Sequence, residues 1–340
     1  VCIHLQMKIK TQNIRPCPQK MTPYVKETLW GGDKLKRIYN KKAPFDRIAE
    51  SWELSARPGR MSTAESGAHN GKPLCDVLSA YGIDSKTFPL LIKFIDTDKK
   101  LSVQVHPTEQ YAKSVRGEDT RVLAEAKTEM WYIIDAKPDA SIFYGLRGGA
   151  GISDLKAACS DGSVENILKR VEVHPGDTVF IPAGQIHAIG EGILLCEIQQ
   201  NSDTTYRLWD YMRRGEDGKF RELHINEALG ATRNYTDGEI RSLRFSRGGE
   251  ETKALQADAE NDCGEILADC DFFKVTKYGG IARIPACEYF AALVCVGGSG
   301  YMDACGEKFA VCAGDTYFLP PGCPEISVCG AEMLYVTCPR

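Results

Sequence analysis

Gly176-Asp177-Thr178-Val179-Phe180-Ile181-Pro182-Ala183-Gly184 has an echo further along the chain, Gly314-Asp315-Thr316-Tyr317-Phe318-Leu319-Pro320-Pro321-Gly322. Each copy reads as a Gly-Asp turn, a short hydrophobic strand and a Pro-x-Gly reversal where that strand ends. A unit of this kind repeated in a chain of 340 residues implies two related β-barrels, each with its own core. The copies differ in what the reversal delivers. Three residues after Gly184 comes His187; three after Gly322 comes Glu325, and no His follows. The first barrel is therefore expected to carry a metal and the second to be metal-free. The boundary is drawn through the polar stretch 236–262, which contains Gly248-Gly249, giving a catalytic domain over 1–240 and a second barrel over 241–340.

Around the first copy, short runs of strand character alternate with turns. Leu101, Val103 and Val105 alternate with Ser102, Gln104 and His106, so Gln104 and His106 point the same way. Strand character also marks the apolar run before Asp96, the stretch from Met130, and the segment from Ile193 to Gln199. Helical spacing appears over 74–81, within 108–127 (Tyr111, Val115, Val122, Leu123) and over about 152–169. The expected fold class is mainly β, with the helical segments inserted into the first barrel.

Composition excludes several functions. The formal net charge is -4, and Lys and Arg are interspersed with Asp and Glu, so no basic stripe invites nucleic acid. No apolar run is long enough to cross a bilayer, and the opening 21 residues read as neither signal peptide nor anchor. The 14 Cys include no C-x-x-C pair and concentrate in apolar runs of the last eighty or so residues. They are read as reduced packing thiols of a cytoplasmic protein. Two complete barrels in one chain lead to the expectation of a monomer.

A metal with an open coordination position needs three or four N or O ligands. His106, Glu129 and His187, joined by Gln104, stand at strand ends where they can converge. A His, Glu, His set equally describes the facial triad of non-haem iron oxygenases, and Gln104 read alone is equally a hydrated interior amide. His4, His69, His174 and His224 fit no ligand pattern and are read as structural or exposed.

At these residues the chain resembles the type I mannose-6-phosphate isomerases (phosphomannose isomerases), in particular the short bacterial form, within the cupin superfamily. The resemblance lies in Tyr24-Val25-Lys26-Glu27-Thr28-Leu29-Trp30-Gly31-Gly32, Glu50-Ser51-Trp52-Glu53-Leu54-Ser55, Pro89-Leu90-Leu91-Ile92-Lys93-Phe94-Ile95-Asp96, Leu101-Ser102-Val103-Gln104-Val105-His106-Pro107 and Lys127-Thr128-Glu129-Met130-Trp131-Tyr132. It continues through 181–189, 197–207 and Arg221-Glu222-Leu223-His224. It implies two cupin-type jelly-roll barrels, one zinc ion held by Gln104, His106, Glu129 and His187, and an active-site arginine at Arg207. It also implies interconversion of mannose 6-phosphate and fructose 6-phosphate. The Cys-rich second barrel and the segment before Met21 depart from the family pattern.

Moving a carbonyl between C1 and C2 of such a sugar means taking a proton from carbon and returning it to the neighbouring carbon through an enediol. Arg207, Arg213, Lys93 and Lys127 are the candidate cations for the phosphate, with Ser102 as a donor. Glu197, Lys127 and a metal-bound water have chemistry suited to a base, and the sequence does not choose among them. Two other classes compete: an iron-dependent cupin oxygenase on the same triad, and a non-catalytic sugar-binding double cupin.

Overall fold

The computed structural model describes residues 15–117, 124–215, 218–233, 235 and 264–339. The expected boundary at 236–262, His4, and the helical positions Val122 and Leu123 lie outside them. The described chain is mainly β, in three antiparallel sheets. A six-stranded sheet runs Thr178–Ile181, Glu129–Ala136, Ile193–Gln200, Leu90–Asp96, Glu50–Leu54, Tyr24–Lys26. A five-stranded sheet runs Tyr206–Trp209, Val103–Val105, His187–Ile189, Ser141–Leu146, Leu168–Glu172. The seven strands from Glu265–Asp269 to Ile326–Thr337, joined by Gln19–Thr22 and Thr63–Ala64, form a nine-stranded sheet.

The strands at the centre of the six-stranded sheet read as nearly unbroken apolar runs because both of their faces are covered. Along Ile193–Gln200, Leu195 packs with Trp131, Ile142 and Ile189 between the two sheets of the first barrel. Leu194, Cys196 and Ile198 point the other way and pack against Val275, Phe318 and Val336 of the second barrel. The outer face of the five-stranded sheet is covered by helices Ile152–Asp161 and Ile225–Ala231, through Leu155, Ala158, Ala228 and Ala231. The second barrel is filled by its own apolar residues, among them Leu293, Met302, Val311 and Met333. Its Glu325 is on the surface, 3.7 Å from Arg283.

The two sequence copies share their turn geometry. Gly176 and Gly314 sit at φ +91° and +93°, where an L side chain is strained, and Gly184 and Gly322 at +90° and +79°. Asp177 accepts the His174 N–H at 2.8 Å, and Asp315 accepts the Cys312 N–H at 3.0 Å. The acidic residue thus closes the turn in both barrels.

Two expectations are corrected, and the segment reaching Met21 is placed. The second helical insert ends early: helices cover Ile152–Asp161 and Val164–Ile167, and Leu168–Glu172 is a strand, because Leu168 is buried while Lys169 and Arg170 face solvent as an edge strand allows. The segment reaching Met21 is built into the fold: Gln19–Thr22 pairs with Thr316–Leu319 of the second barrel and with Thr63–Ala64 of the first. The cysteines are not all free, since Cys17 and Cys305 form a disulfide, while ten others among the described residues are unpaired thiols.

The barrels are tied by charge as well as by apolar contact. Lys41 lies 2.7 Å from buried Glu53 and donates to the Gly314 carbonyl, and Thr316 donates to Glu53 at 3.1 Å. At the opposite end of the six-stranded sheet, Asp96 accepts the N–H groups of Lys34 (2.6 Å) and Leu35 (3.3 Å). Gly32 is required beside it, because a Cβ there would lie 2.4 Å from the Asp96 carboxylate.

Burial pushes the Asp96 carboxyl up to about 6, against the two N–H groups that favour its anion. An unfolded aspartate titrates near about 4. A raised folded pKa means the fold favours the neutral acid, so this stabilisation is complete below about pH 4 and is lost as pH rises through about 6. The stability of the parent relative to Asp96→Asn should therefore fall by about 2–3 kcal/mol between pH 4 and 7. Urea denaturation of both proteins across that range measures it, and a difference independent of pH would refute it.

Candidate metal centre

The centre lies between the two sheets of the first barrel. His187 pairs in register with Gln104 on the neighbouring strand, and Gln104 pairs on its other side with Arg207. Glu129 begins the strand that faces them from the six-stranded sheet, held there by its pairing with Ile181 and Gln199. The two parts of the sequence motif, the 101–106 strand and the Pro-x-Gly reversal, thus aim their polar residues into one space.

Both histidines have a fixed tautomer. His106 Nδ1 is 2.9 Å from the Thr204 carbonyl and His187 Nδ1 is 2.9 Å from the Gln185 carbonyl. Each Nδ1 must carry the proton and donate it, which leaves each Nε2 as a lone pair. Those nitrogens face Glu129: Nε2 of His106 is 3.5 Å from Oε2, and Nε2 of His187 is 3.5 Å from Oε1. The Gln104 amide nitrogen is 3.3 Å from His187 Nε2. The three side chains His106, Glu129 and His187 are buried. Burial lowers the pKa of both imidazoles, that of His187 to about 4, so both are neutral at pH 7.

These donors fit a divalent cation. Glu129 Oε1 is buried and accepts no hydrogen bond, an expensive state for a carboxylate oxygen unless something else satisfies it. Two neutral imidazole lone pairs converge beside it, within 4.8 Å of one another and of the carboxylate. Among the described residues no other group of His, Cys, Asp or Glu offers such a set.

A cavity of about 250 Å³ opens beside the triad, its walls including Glu50, Lys93, Lys127, Glu197 and Arg207. Its charges form a chain. Lys127 Nζ lies 2.6 Å from Glu129 Oε2 and 3.5 Å from Glu197 Oε1, and Lys93 Nζ lies 3.2 Å from Glu197 and 3.7 Å from Glu50. Burial works against the Lys127 ammonium, but Glu129 and Glu197 outweigh it and hold its pKa above the usual lysine value. Burial likewise opposes the Glu197 carboxylate, and Lys127 and Lys93 overcome it, so Glu197 is held below the usual carboxylate range. Glu50 is drawn down to about 2 by Lys93 and Lys26 despite its burial.

The structure brings most of the sequence candidates together. Gln104, Lys93, Ser102, Lys127, Glu197 and Arg207 all line the cavity. Ser102 accepts from Arg207 Nε at 3.2 Å, and Arg207 Nη1 donates to the Glu222 carbonyl at 2.7 Å. Arg213 is the exception. Its guanidinium is turned to the Asp210 carboxylate and the Lys100 carbonyl, outside the cavity wall, because the intervening turn places Tyr211 and Met212 in the left-handed region.

Of the four remaining histidines, His174 is exposed and His69 is buried. His224 has a role the spacing did not suggest: its Nδ1 accepts the backbone N–H of Arg207 at 3.2 Å. Sequence reasoning also missed Glu50 and Trp52, whose indole donates to Glu50 at 2.8 Å, as well as Asp203, paired with Arg60, and Arg221. The alternation of Glu50-Ser51-Trp52-Glu53 held the signal for the first two. Glu50 and Trp52 turn toward Lys93, whereas Ser51 and Glu53 bond each other on the side of the second barrel.

No described helix is long and apolar enough to cross a membrane. The family model for the catalytic domain of type I phosphomannose isomerase matches residues 19–140. The mannose-6-phosphate isomerase ManA of Bacillus subtilis (strain 168) is 33% identical over 320 residues, which cover 92% of this chain and 96% of the relative. A crystal structure of the mannose 6-phosphate isomerase from Bacillus subtilis superposes with a TM-score of 0.80 at 30% identity, over 94% of this chain and 99% of that one. A mannose 6-phosphate isomerase solved with zinc and yttrium bound shares the fold, with a TM-score of 0.68 at 16% identity over 95% of this chain and all of that one. Built on this double barrel, and a third identical to a relative along nearly its whole length, the chain belongs to the type I phosphomannose isomerases.

Proposed function

We propose that this chain is a zinc-dependent isomerase interconverting mannose 6-phosphate and fructose 6-phosphate, with one zinc ion held by His106, Glu129, His187 and Gln104. The observation that carries the reading is the position of two neutral imidazole nitrogens around a carboxylate oxygen that has no hydrogen-bond partner, next to a cavity lined by Gln104, Lys93, Lys127 and Arg207. When bound, zinc supplies a Lewis acid that polarises the sugar oxygens without changing oxidation state.

The chain's own residues divide the remaining work. Lys127, whose ammonium Glu129 and Glu197 favour, places a positive charge on the cavity wall, where it would stabilise negative charge developing on the substrate oxygens. Glu197 is ionised, faces the cavity and is oriented by Trp131 Nε1 at 3.2 Å, which makes it the candidate to take the proton from carbon and return it. Arg207, steadied by Ser102 and the Glu222 carbonyl, presents a cation to the anionic substrate. Lys93 links Glu197 to Glu50 and positions the carboxylate. The domain assignment extends the proposal: 1–240 form the catalytic unit and 241–340 a second barrel that supports it. The chain is further read as a cytoplasmic monomer.

A coupled assay converting fructose 6-phosphate to mannose 6-phosphate, on metal-stripped protein with zinc or ferrous iron restored, tests the proposal. Zinc is expected to restore turnover, with no oxygen uptake under either metal. Oxygen consumption with iron and no isomerisation would instead establish an oxygenase on the same triad.

A further inference from the structure

The metal triad does not account for two guanidinium groups on one cavity wall. Arg207 and Arg221 both line the cavity. Burial and the nearby charge of Arg221 lower the pKa of Arg207, a sign that two like charges are held together. Between them and Arg213 lies one carboxylate, Asp210, which is buried. Its Oδ1 receives Arg213 Nη2 and lies 3.4 Å from Arg221 Nη1, while its Oδ2 accepts no hydrogen bond.

The two neighbours of Asp210 differ in how much they have left to give. Arg213 donates to the Asp210 carboxylate, to its backbone carbonyl at 3.3 Å and to the Lys100 carbonyl, and stacks 5.0 Å over the Tyr211 ring. Arg221 makes a single long contact, to Asp210, and faces the cavity. The turn that creates this difference is strained: Tyr211 and Met212 stand at φ +56° and +54°, and non-glycine residues hold such angles where the surrounding structure enforces them. Arg207 is also the register partner of Gln104, so this guanidinium and the Gln104 amide stand side by side on neighbouring strands of one sheet.

We infer that Arg207 and Arg221 form a two-guanidinium clamp for the phosphate of the sugar substrate, with Asp210 positioning the Arg221 fork and Arg213 bracing Asp210 from outside the site. This rests on the isomerase reading above. A phosphate dianion neutralises two cations that otherwise repel, and each guanidinium can offer it two parallel N–H groups. The family motif Arg221-Glu222-Leu223-His224 then has a division of labour: Arg221 binds, while the Glu222 carbonyl and the His224 ring hold Arg207 in place.

Steady-state kinetics on fructose 6-phosphate, with inorganic phosphate as competing anion, test the clamp in Arg221→Ala, Arg221→Lys and Arg213→Ala. Arg221→Ala should raise KM and the inhibition constant of phosphate together by about 10- to 100-fold, with kcat within about threefold of the parent. Arg221→Lys, which keeps the charge without the fork, should fall between the two, and Arg213→Ala should raise KM by less than Arg221→Ala does. Unchanged KM and phosphate inhibition in both Arg221 variants, or a larger rise for Arg213→Ala, would overturn the clamp. If the parent protein does not isomerise the sugar at all, the functional reading fails instead. Calorimetric titration with inorganic phosphate then decides the clamp alone: binding lost in Arg221→Ala supports it, and equal binding refutes it.

Discussion

His187→Ala is expected to release the metal and abolish isomerisation. Metal content should fall from about one ion per chain to below about 0.1, and kcat/KM by roughly a thousandfold or more, the scale on which losing several kcal/mol of charge stabilisation acts. The imidazole is buried, its Nδ1 is committed to the Gln185 carbonyl, and its Nε2 is turned to Glu129 Oε1. Alanine removes a ligand without offering a replacement, and the site cannot close over the gap, because Trp131 and His106 pack edge-on and tilted against the ring at 5.5 and 4.9 Å. Elemental analysis of the purified variant and the coupled assay make the two measurements. A variant that retains its metal but not its activity would move His187 from ligation to chemistry, and one that retains both would remove it from the centre altogether.

How far the centre was legible in the sequence depends on the range of each interaction. His106, Gln104 and His187 were accessible because strand alternation and a turn with two glycines in fixed conformations are local rules. Glu129 followed from its place at the head of a strand. The repeat at Gly176 and Gly314 gave the two barrels for the same reason, each turn being closed by its own aspartate. What stayed hidden is set by pairing across the chain. Arg213 and Arg221 flank the same region of sequence, and only the turn at Tyr211 and Met212, together with the buried Asp210, decides which one faces the cavity. The Cys17–Cys305 disulfide closes over 288 residues, a separation that no spacing rule encodes. The helix expected to reach Lys169 ends at Ile167, because Leu168 satisfies either period and its pairing with Leu146 makes it the first residue of a strand.

Lys127→Met should destabilise the metal-free protein by about 3–5 kcal/mol, the cost of breaking a buried ion pair by removing one partner. Methionine fills much the same volume, so the loss is one of charge and not of packing. In the parent, the ammonium separates Glu129, at 2.6 Å, from Glu197, at 3.5 Å, and all three side chains are at most 5% exposed. Without it, Glu197 retains Lys93 as a countercharge at 3.2 Å, but Glu129 loses its closest one. The midpoint of thermal unfolding should fall by roughly 4–7 °C for a chain of this size. Because a divalent cation bound at the triad would restore positive charge beside Glu129, adding zinc should raise the midpoint of Lys127→Met by more than that of the parent. Turnover should remain low even with metal restored, since the fixed charge beside the reacting oxygens is missing. Lys127→Arg, which keeps the charge, should recover stability before it recovers rate. Thermal scans of the three proteins with and without zinc, alongside the coupled assay, separate these effects. Parent-like stability in metal-free Lys127→Met would show that Glu129 is compensated by something other than this ammonium, and a zinc response no larger than the parent's would place the metal away from Glu129.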